Sequence, residues 1–171
     1  CLGLQVMVVE FCRHVYCSEE PNSTEFAPKT AYPVIDLLPE QRGMDAKGGT
    51  MRLGTYPCHL VEGSSAAMAY GEAVIHERHR HRFEFNNDFR YTLEQAGLAA
   101  AGLSADGKLV EIVELKNHPW MVATQFHPEF KSRPNRPHPL FLDFVKASKR
   151  TMREGAQHPL PLRQPEEKAG D

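Results

Sequence analysis

The chain has 171 residues, enough for one main domain with a sizeable core. Its 20 Lys and Arg stand against 22 Asp and Glu, a balance that argues against bulk nucleic acid or an anionic membrane as a partner. No apolar run approaches the roughly 20 residues of a membrane helix, no signal peptide is visible, and four cysteines without C-x-x-C spacing fit reduced thiols in a cytoplasmic protein.

In chain order, the spacing of Leu4, Val8, Phe11 and Val15 predicts a helix from Leu2 to about Tyr16, with further apolar surface at Val6, Met7 and Val9. "SEEPNSTEFAPKTAYP" reads as a loop broken by three prolines. "VIDLL" reads as a short strand and "EQRGMDAKGG" as a polar, mobile connection. "TMRLGTYPCHLV" reads as two short strands around Gly54, with Pro57 favouring an edge or a bend. "AVIHERHRHRFEF" begins as a strand and becomes a basic loop. Asn86 or Asn87 is placed to cap a short helix that stops at Gly97. "LAAAGLSADGKLVEIVEL" reads as a hairpin about Asp106-Gly107, and "WMVATQF" as a continuous buried strand. "PLFLDFVKASKRTM" reads as an amphipathic helix with Leu140, Phe144 and Ala147 on one face, followed from Gly155 by a loose tail. This alternation predicts an α/β domain with helices against a mixed sheet.

Cys1 heads the first helix. Free backbone N–H groups and the dipole at a helix start favour an anion and lower a thiol pKa. The N–H of Leu2 would face a developing oxyanion, and Gly3 would permit the close approach of a sharp strand-to-helix elbow. Late in the chain, "ATQFHPEF" places His127 after a buried strand and Glu129 two residues on, across Pro128. In extended or turning backbone i and i+2 point the same way, so Glu129 can orient the imidazole while the other ring nitrogen addresses a thiol. Cys12, Cys17 and Cys58 read as small, partly buried filler. His79 and His81 share one side of an alternating strand, but no Cys or carboxylate joins them at a familiar spacing, so no metal site is expected. Glu77 and Glu84 break the basic stretch, which reads as a substrate wall and a face towards another domain rather than a nucleic-acid patch.

A C-x-G-x-Q start paired with H-P-E after a late strand resembles the class I glutamine amidotransferases, which release ammonia from glutamine through a Cys-His-Glu triad and a glutamyl thioester. The segments "NSTEF", "GGTMRLG", "ERHRHRFEFNN", "LVEIVEL", "HPW" and "FHPEF…HPLF" narrow the resemblance to the glutaminase domain of the CTP synthase family, from Cys1 to about Arg150. The resemblance implies an α/β fold of amidotransferase type: a mixed, mostly parallel sheet flanked by helices, missing its first strands. It implies a partial glutaminase domain over residues 1–154 and a flexible tail over 155–171. It makes Cys1 the nucleophile, His127 the general base and then acid, and Glu129 the orienting carboxylate. L-glutamine would be held by Leu2, Gln5, Glu25, Arg82 and Phe83: Glu25 at its α-ammonium, Arg82 at its α-carboxylate, and Phe83 through its backbone, where related chains usually carry Tyr.

The same resemblance implies no cofactor in this piece. ATP and Mg²⁺ belong to a missing N-terminal amidoligase domain, GTP is an allosteric activator, and the parent is a homotetramer. A competing reading of Cys1 is an N-terminal nucleophile that uses its own α-amine as base, but such an enzyme needs no H-P-E. The chain reads instead as cut inside the elbow, and alone it is expected to hydrolyse glutamine poorly or not at all. The residues are also compatible with a stand-alone glutamine hydrolase, with another amidotransferase, and with an inactive regulatory module that retains the triad letters.

Overall fold

The computed structural model describes residues 1–37 and 51–151. The connection at 40–49 and the tail from 155 onwards lie outside them. The apolar spacing does give the first helix: α1 runs Leu2–Tyr16 and ends at Cys17, whose left-handed φ of 49° closes the last turn. Leu4, Val8, Val9 and Cys12 are buried, whereas Leu2 and Val6 are exposed, so the helix is buried on one side rather than all round.

Strands β1 (Asn22–Ser23), β2 (Pro33–Leu37) and β5 (Phe83–Phe85) form a three-stranded sheet. A five-stranded sheet runs in the order β4 (Val74–His81), β3 (Arg52–Leu60), β6 (Leu98–Ser104), β7 (Val110–Leu115), β8 (Val122–Thr124). Helices α2 (Ser65–Tyr70), α3 (Arg90–Ala96) and α4 (Pro139–Thr151) complete the described fold. It is α/β as expected, but the expected mostly parallel pairing is not found among the described residues. Only β1–β2 is parallel; β2–β5, β3–β4, β3–β6, β6–β7 and β7–β8 are antiparallel. The physical reason is connection length. The links β6–β7 and β7–β8 are too short for the crossover that a parallel pair needs, so the chain folds straight back.

Several elements differ from their sequence reading: β1 lies within the stretch read as a loop, and α2 has no counterpart in that reading. Residues 52–60 form one strand, not two, because Gly54 continues it at φ 107°. Pro57 opposes His76 on β4 and lies outside the β3–β6 pairing, which spans residues 58–60, so its missing N–H costs no bond on that side. The expected basic loop at 76–81 is strand: Ile75, Glu77, His79 and His81 point inward, while His76, Arg78 and Arg80 point out. The period of two sorts these charges between the faces. The "WMVATQF" strand shortens to half-buried β8, with Gln125 and Phe126 fully buried just beyond it. Asn86 caps a 3-10 turn, Asn87–Phe89, that leads directly into α3, whose own N-cap is Phe89; the stop at Gly97 and the Asp106-Gly107 hairpin are as expected. On α4, Leu140 and Ala147 are buried but Phe144 is exposed.

One apolar cluster joins Leu4, Val8 and Cys12 of α1 to Val34, Ile35, Phe85, Leu93, Leu98 and Val113. A second joins Cys58, Ala66, Ile75, Ala101, Ile112, Phe126 and Leu140. Gly102 sits against the second cluster: a Cβ there would stand 2.8 Å from both Cys58 Sγ and Ile112 Cγ1. Gly102→Ala is therefore expected to destabilise the domain by about 1–3 kcal/mol, read as a lowered midpoint in urea. Gly3 is different. A Cβ on it would meet no described atom within 4 Å, so the close approach expected at that position is not seen.

Candidate active site

Cys1 is the N-cap of α1 and makes no side-chain capping bond, which leaves the first-turn amides unclaimed by it. Its nitrogen donates to Thr124 O of β8 at 2.6 Å, and its carbonyl accepts from Gln5 N at 3.3 Å. The helix start is thereby tied to β8. The half-buried sulfur lies 3.8 Å from Gln125 Nε2 and 4.0 Å from Arg80 O. The other thiols compare poorly as nucleophiles. Burial pushes Cys12 up to about 11 and, with Glu111 assisting, Cys58 up to about 12, which keeps both protonated. Cys17 is exposed rather than partly buried filler, and stands at the far end of the helix.

An open pocket of about 480 Å³ is lined by Cys1, Leu2, Gln5, Glu25, Phe26, Met51, Arg82 and Phe83. All five residues expected to hold glutamine therefore border one space with Cys1. Two local devices place them. Arg82 projects, exposed, from a bend between β4 and β5, and the residues flanking that bend are stapled: His81 Nε2 lies 2.7 Å from Glu84 Oε1, both side chains buried. Arg52 backs the staple, 3.8 Å from Glu84 and 2.6 Å from Glu111. The second device is Gln5, which is 4 % exposed rather than on a solvated face. Its Nε2 donates to Phe83 O at 3.2 Å, as does Gln125 Nε2 at 3.5 Å. The Phe83 carbonyl is thus occupied within the protein. Glu25 stands exposed at the mouth, its loop held by a hydrogen bond from Glu25 N to Ser23 Oγ at 3.2 Å.

His127 follows β8 closely. Its backbone N–H donates to Arg78 O of β4 at 2.8 Å, and the next residues form a single 3-10 turn, Pro128–Phe130. That turn brings Glu129 Oε1 within 2.6 Å of His127 Nδ1. Burial pushes the Glu129 carboxyl up, but the His127 hydrogen bond and its own backbone outweigh this, and the net shift is downward. A charged carboxylate at Nδ1 fixes that nitrogen as the protonated one and leaves Nε2 for a thiol. Nε2 is buried and makes no hydrogen bond among the described residues. Cys1 N is held at Thr124 O and His127 follows three residues further along, so the helix start and the His127–Glu129 turn both lie at the end of β8.

Gln125 escaped the sequence reading. In sequence it is one polar letter inside an apolar run; only the fold places its amide between Cys1 Sγ and Phe83 O. A buried amide flanked by a strand and a histidine is the signal that could have marked it. His79 and His81 do share one face, but they meet carboxylates in the core: His79 Nδ1 lies 3.5 Å from Glu111 Oε2. Burial first, then Arg52, pushes His79 down to about 3, so it is neutral at ordinary pH. No group of three or more His, Cys, Asp or Glu among the described residues is placed to hold a metal ion.

The model of the family "Glutamine amidotransferase class-I" matches residues 1–147. The chain belongs to the class I glutamine amidotransferases. Among curated amidotransferase relatives, the CTP synthase of Dehalococcoides mccartyi strain 195 is 65 % identical over 162 residues, covering 95 % of this chain and 30 % of that protein. The CTP synthase of Thermomicrobium roseum is 58 % identical over 165 residues, covering 96 % and 30 %. The chain thus spans about 30 % of the length of the curated relatives it matches. Among solved structures, the Trypanosoma brucei CTPS glutaminase domain with bound acivicin superposes with a TM-score of 0.81 at 34 % identity, covering 87 % of this chain and 58 % of that one. The amidotransferase fold expected from the sequence is thereby established, whatever the direction of its individual strands. None of the described helices is long and apolar enough to cross a membrane.

Proposed function

We propose that this chain is the glutaminase part of a CTP synthase and hydrolyses L-glutamine to glutamate and ammonia. The observation that carries this reading is the shared pocket. Cys1 borders the same space as Gln5, Glu25 and Arg82, and the strand that tethers Cys1 leads into the His127–Glu129 pair.

The chemistry follows from that placement. Arg82 pairs with the α-carboxylate of glutamine by charge-assisted hydrogen bonds and Glu25 accepts from its α-ammonium, which directs the side-chain amide towards Cys1. His127 Nε2 takes the thiol proton as the sulfur attacks the amide carbon. The N–H of Leu2, at the helix start, donates to the oxyanion that forms. His127 returns the proton to the amide nitrogen, the C–N bond breaks and ammonia leaves, with the glutamyl group held as a thioester on Cys1. Water then attacks the thioester while His127 accepts its proton, and the C–S bond breaks to give glutamate and the free thiol. Glu129 keeps the imidazole in the productive tautomer and stabilises its cation throughout. Ammonia passes to an N-terminal amidoligase domain, where ATP and Mg²⁺ serve the amination of UTP to CTP and GTP activates glutamine hydrolysis. The assembly proposed is a cytoplasmic homotetramer that uses neither nucleic acid nor a membrane.

Isotope transfer tests the reading. The full-length synthase, given UTP, ATP, Mg²⁺, GTP and glutamine labelled with ¹⁵N at its amide, is expected to place ¹⁵N on the cytosine 4-amino group. Glutamate release without labelled CTP would favour a stand-alone glutaminase. In the same assay, Arg82→Ala is expected to raise the KM for glutamine about ten- to a hundredfold, the worth of a charged hydrogen-bonded partner. Ammonia-dependent CTP formation should survive, since ammonia needs no carboxylate clamp. A parallel fall in both activities would make Arg82 a structural residue.

A further inference from the structure

We propose that Phe130 is a positioning residue for His127, its ring holding the imidazole in plane through the reaction. This rests on the glutaminase reading, in which His127 carries the proton. The covalent Cβ attachment and the hydrogen bond from Nδ1 to Glu129 fix two points of the imidazole and leave the ring free to rock about the axis that joins them. A flat surface against one face removes that freedom. The Phe130 ring supplies it: the two centroids are 4.9 Å apart and the planes differ by 16°. Stacking of this kind also favours the cationic imidazole that each proton transfer creates, because the ring face is electron-rich.

Phe130 is itself braced. The Arg78 guanidinium carbon lies 5.3 Å from its ring centroid, so imidazole, phenyl and guanidinium belong to one packed group. The backbone of Arg78 also holds His127 N at 2.8 Å, and Phe130 N donates to His127 O at 3.2 Å. Beyond the turn, Lys131 Nζ donates to His76 O at 2.6 Å. The catalytic turn is therefore fastened to β4 on both sides of the stack. Phe130 is 36 % exposed and belongs to neither apolar cluster. A large aromatic in that situation adds little to the core, and among the described residues its ring meets His127 and Arg78.

The experiment compares Phe130→Leu, Phe130→Tyr and His127→Ala in the full-length synthase, by steady-state glutamine hydrolysis, ammonia-dependent CTP formation and thermal midpoint. Phe130→Leu keeps bulk but loses the flat face; it is expected to lower kcat about three- to tenfold with KM within about twofold of the parent. Phe130→Tyr keeps the face and should retain the parent kcat. Ammonia-dependent synthesis and the thermal midpoint should be unchanged in both. An unchanged kcat in Phe130→Leu, or an equal loss of ammonia-dependent synthesis, would overturn the inference. His127→Ala separates this from the glutaminase reading. If it abolishes glutamine turnover while Phe130→Leu is unaffected, only the stacking role falls; if it leaves turnover intact, the glutaminase reading falls with it.

Discussion

Replacing Cys1 by alanine in the full-length synthase is expected to lower glutamine-dependent CTP formation by about 10⁴-fold or more, the usual cost of removing a covalent nucleophile. Glutamine binding should persist, because Gln5, Glu25 and Arg82 border the pocket independently of the sulfur. Ammonia-dependent synthesis should persist too. Those two retained properties distinguish loss of a nucleophile from loss of fold. Among the described residues no other thiol is placed to substitute: Cys12 and Cys58 are buried and protonated, and Cys17 lies at the opposite end of α1. An inactive regulatory module would behave differently, with parent and variant equally unable to turn glutamine over.

Glu129→Gln is expected to lower kcat for glutamine by about 10²–10⁴-fold with little change in KM, by comparison with carboxylates that orient a catalytic histidine elsewhere. Steady-state hydrolysis over a range of glutamine concentrations measures both. The carboxylate only accepts hydrogen bonds, so its 2.6 Å contact requires the proton on His127 Nδ1. A glutamine amide can turn its NH₂ towards Nδ1 and stabilise the opposite tautomer, whose Nε2 carries a proton and cannot take one from the thiol. It also removes the negative charge that stabilises the imidazolium. Glu129 is half-exposed, so water tempers both effects and favours the lower part of that range. Phe130→Leu, by contrast, leaves the tautomer alone and removes only the planar constraint, hence its smaller expected effect.

The site is more legible in the sequence than the sheet. Helical spacing defines α1 to its ends, and with it Cys1 as the N-cap. H-P-E is readable as a turn that brings Glu129 back to His127, because proline at the head of a 3-10 turn leaves few other paths. Strand direction is legible only where a turn marks it. Apolar alternation reports which face is buried and says nothing of the partner's sense; only the Asp106-Gly107 turn marks β6–β7 as antiparallel, and no such turn dipeptide marks β3–β6 or β7–β8. The stretch at 76–81 is opaque for another reason. His79, His81 and Glu77 are polar letters in buried positions, and no local rule predicts that Glu111, Glu84, Arg52 and His138 will meet them inside. Gln125 and Phe130 are hidden by the same cause. Gln125 meets Cys1, and the Phe130 ring stacked on His127 is braced by Arg78; Cys1 and Arg78 lie far away along the chain and only the folded sheet brings them near.

The most direct test of the central claim is acid quenching of the full-length synthase during its first turnover with glutamine, followed by peptide mass mapping. A glutamyl adduct on the peptide that contains Cys1, located to its sulfur by fragmentation, is the expected result. An adduct on Cys12, Cys17 or Cys58, or glutamine turnover with Cys1 unmodified at every quench time, would contradict it.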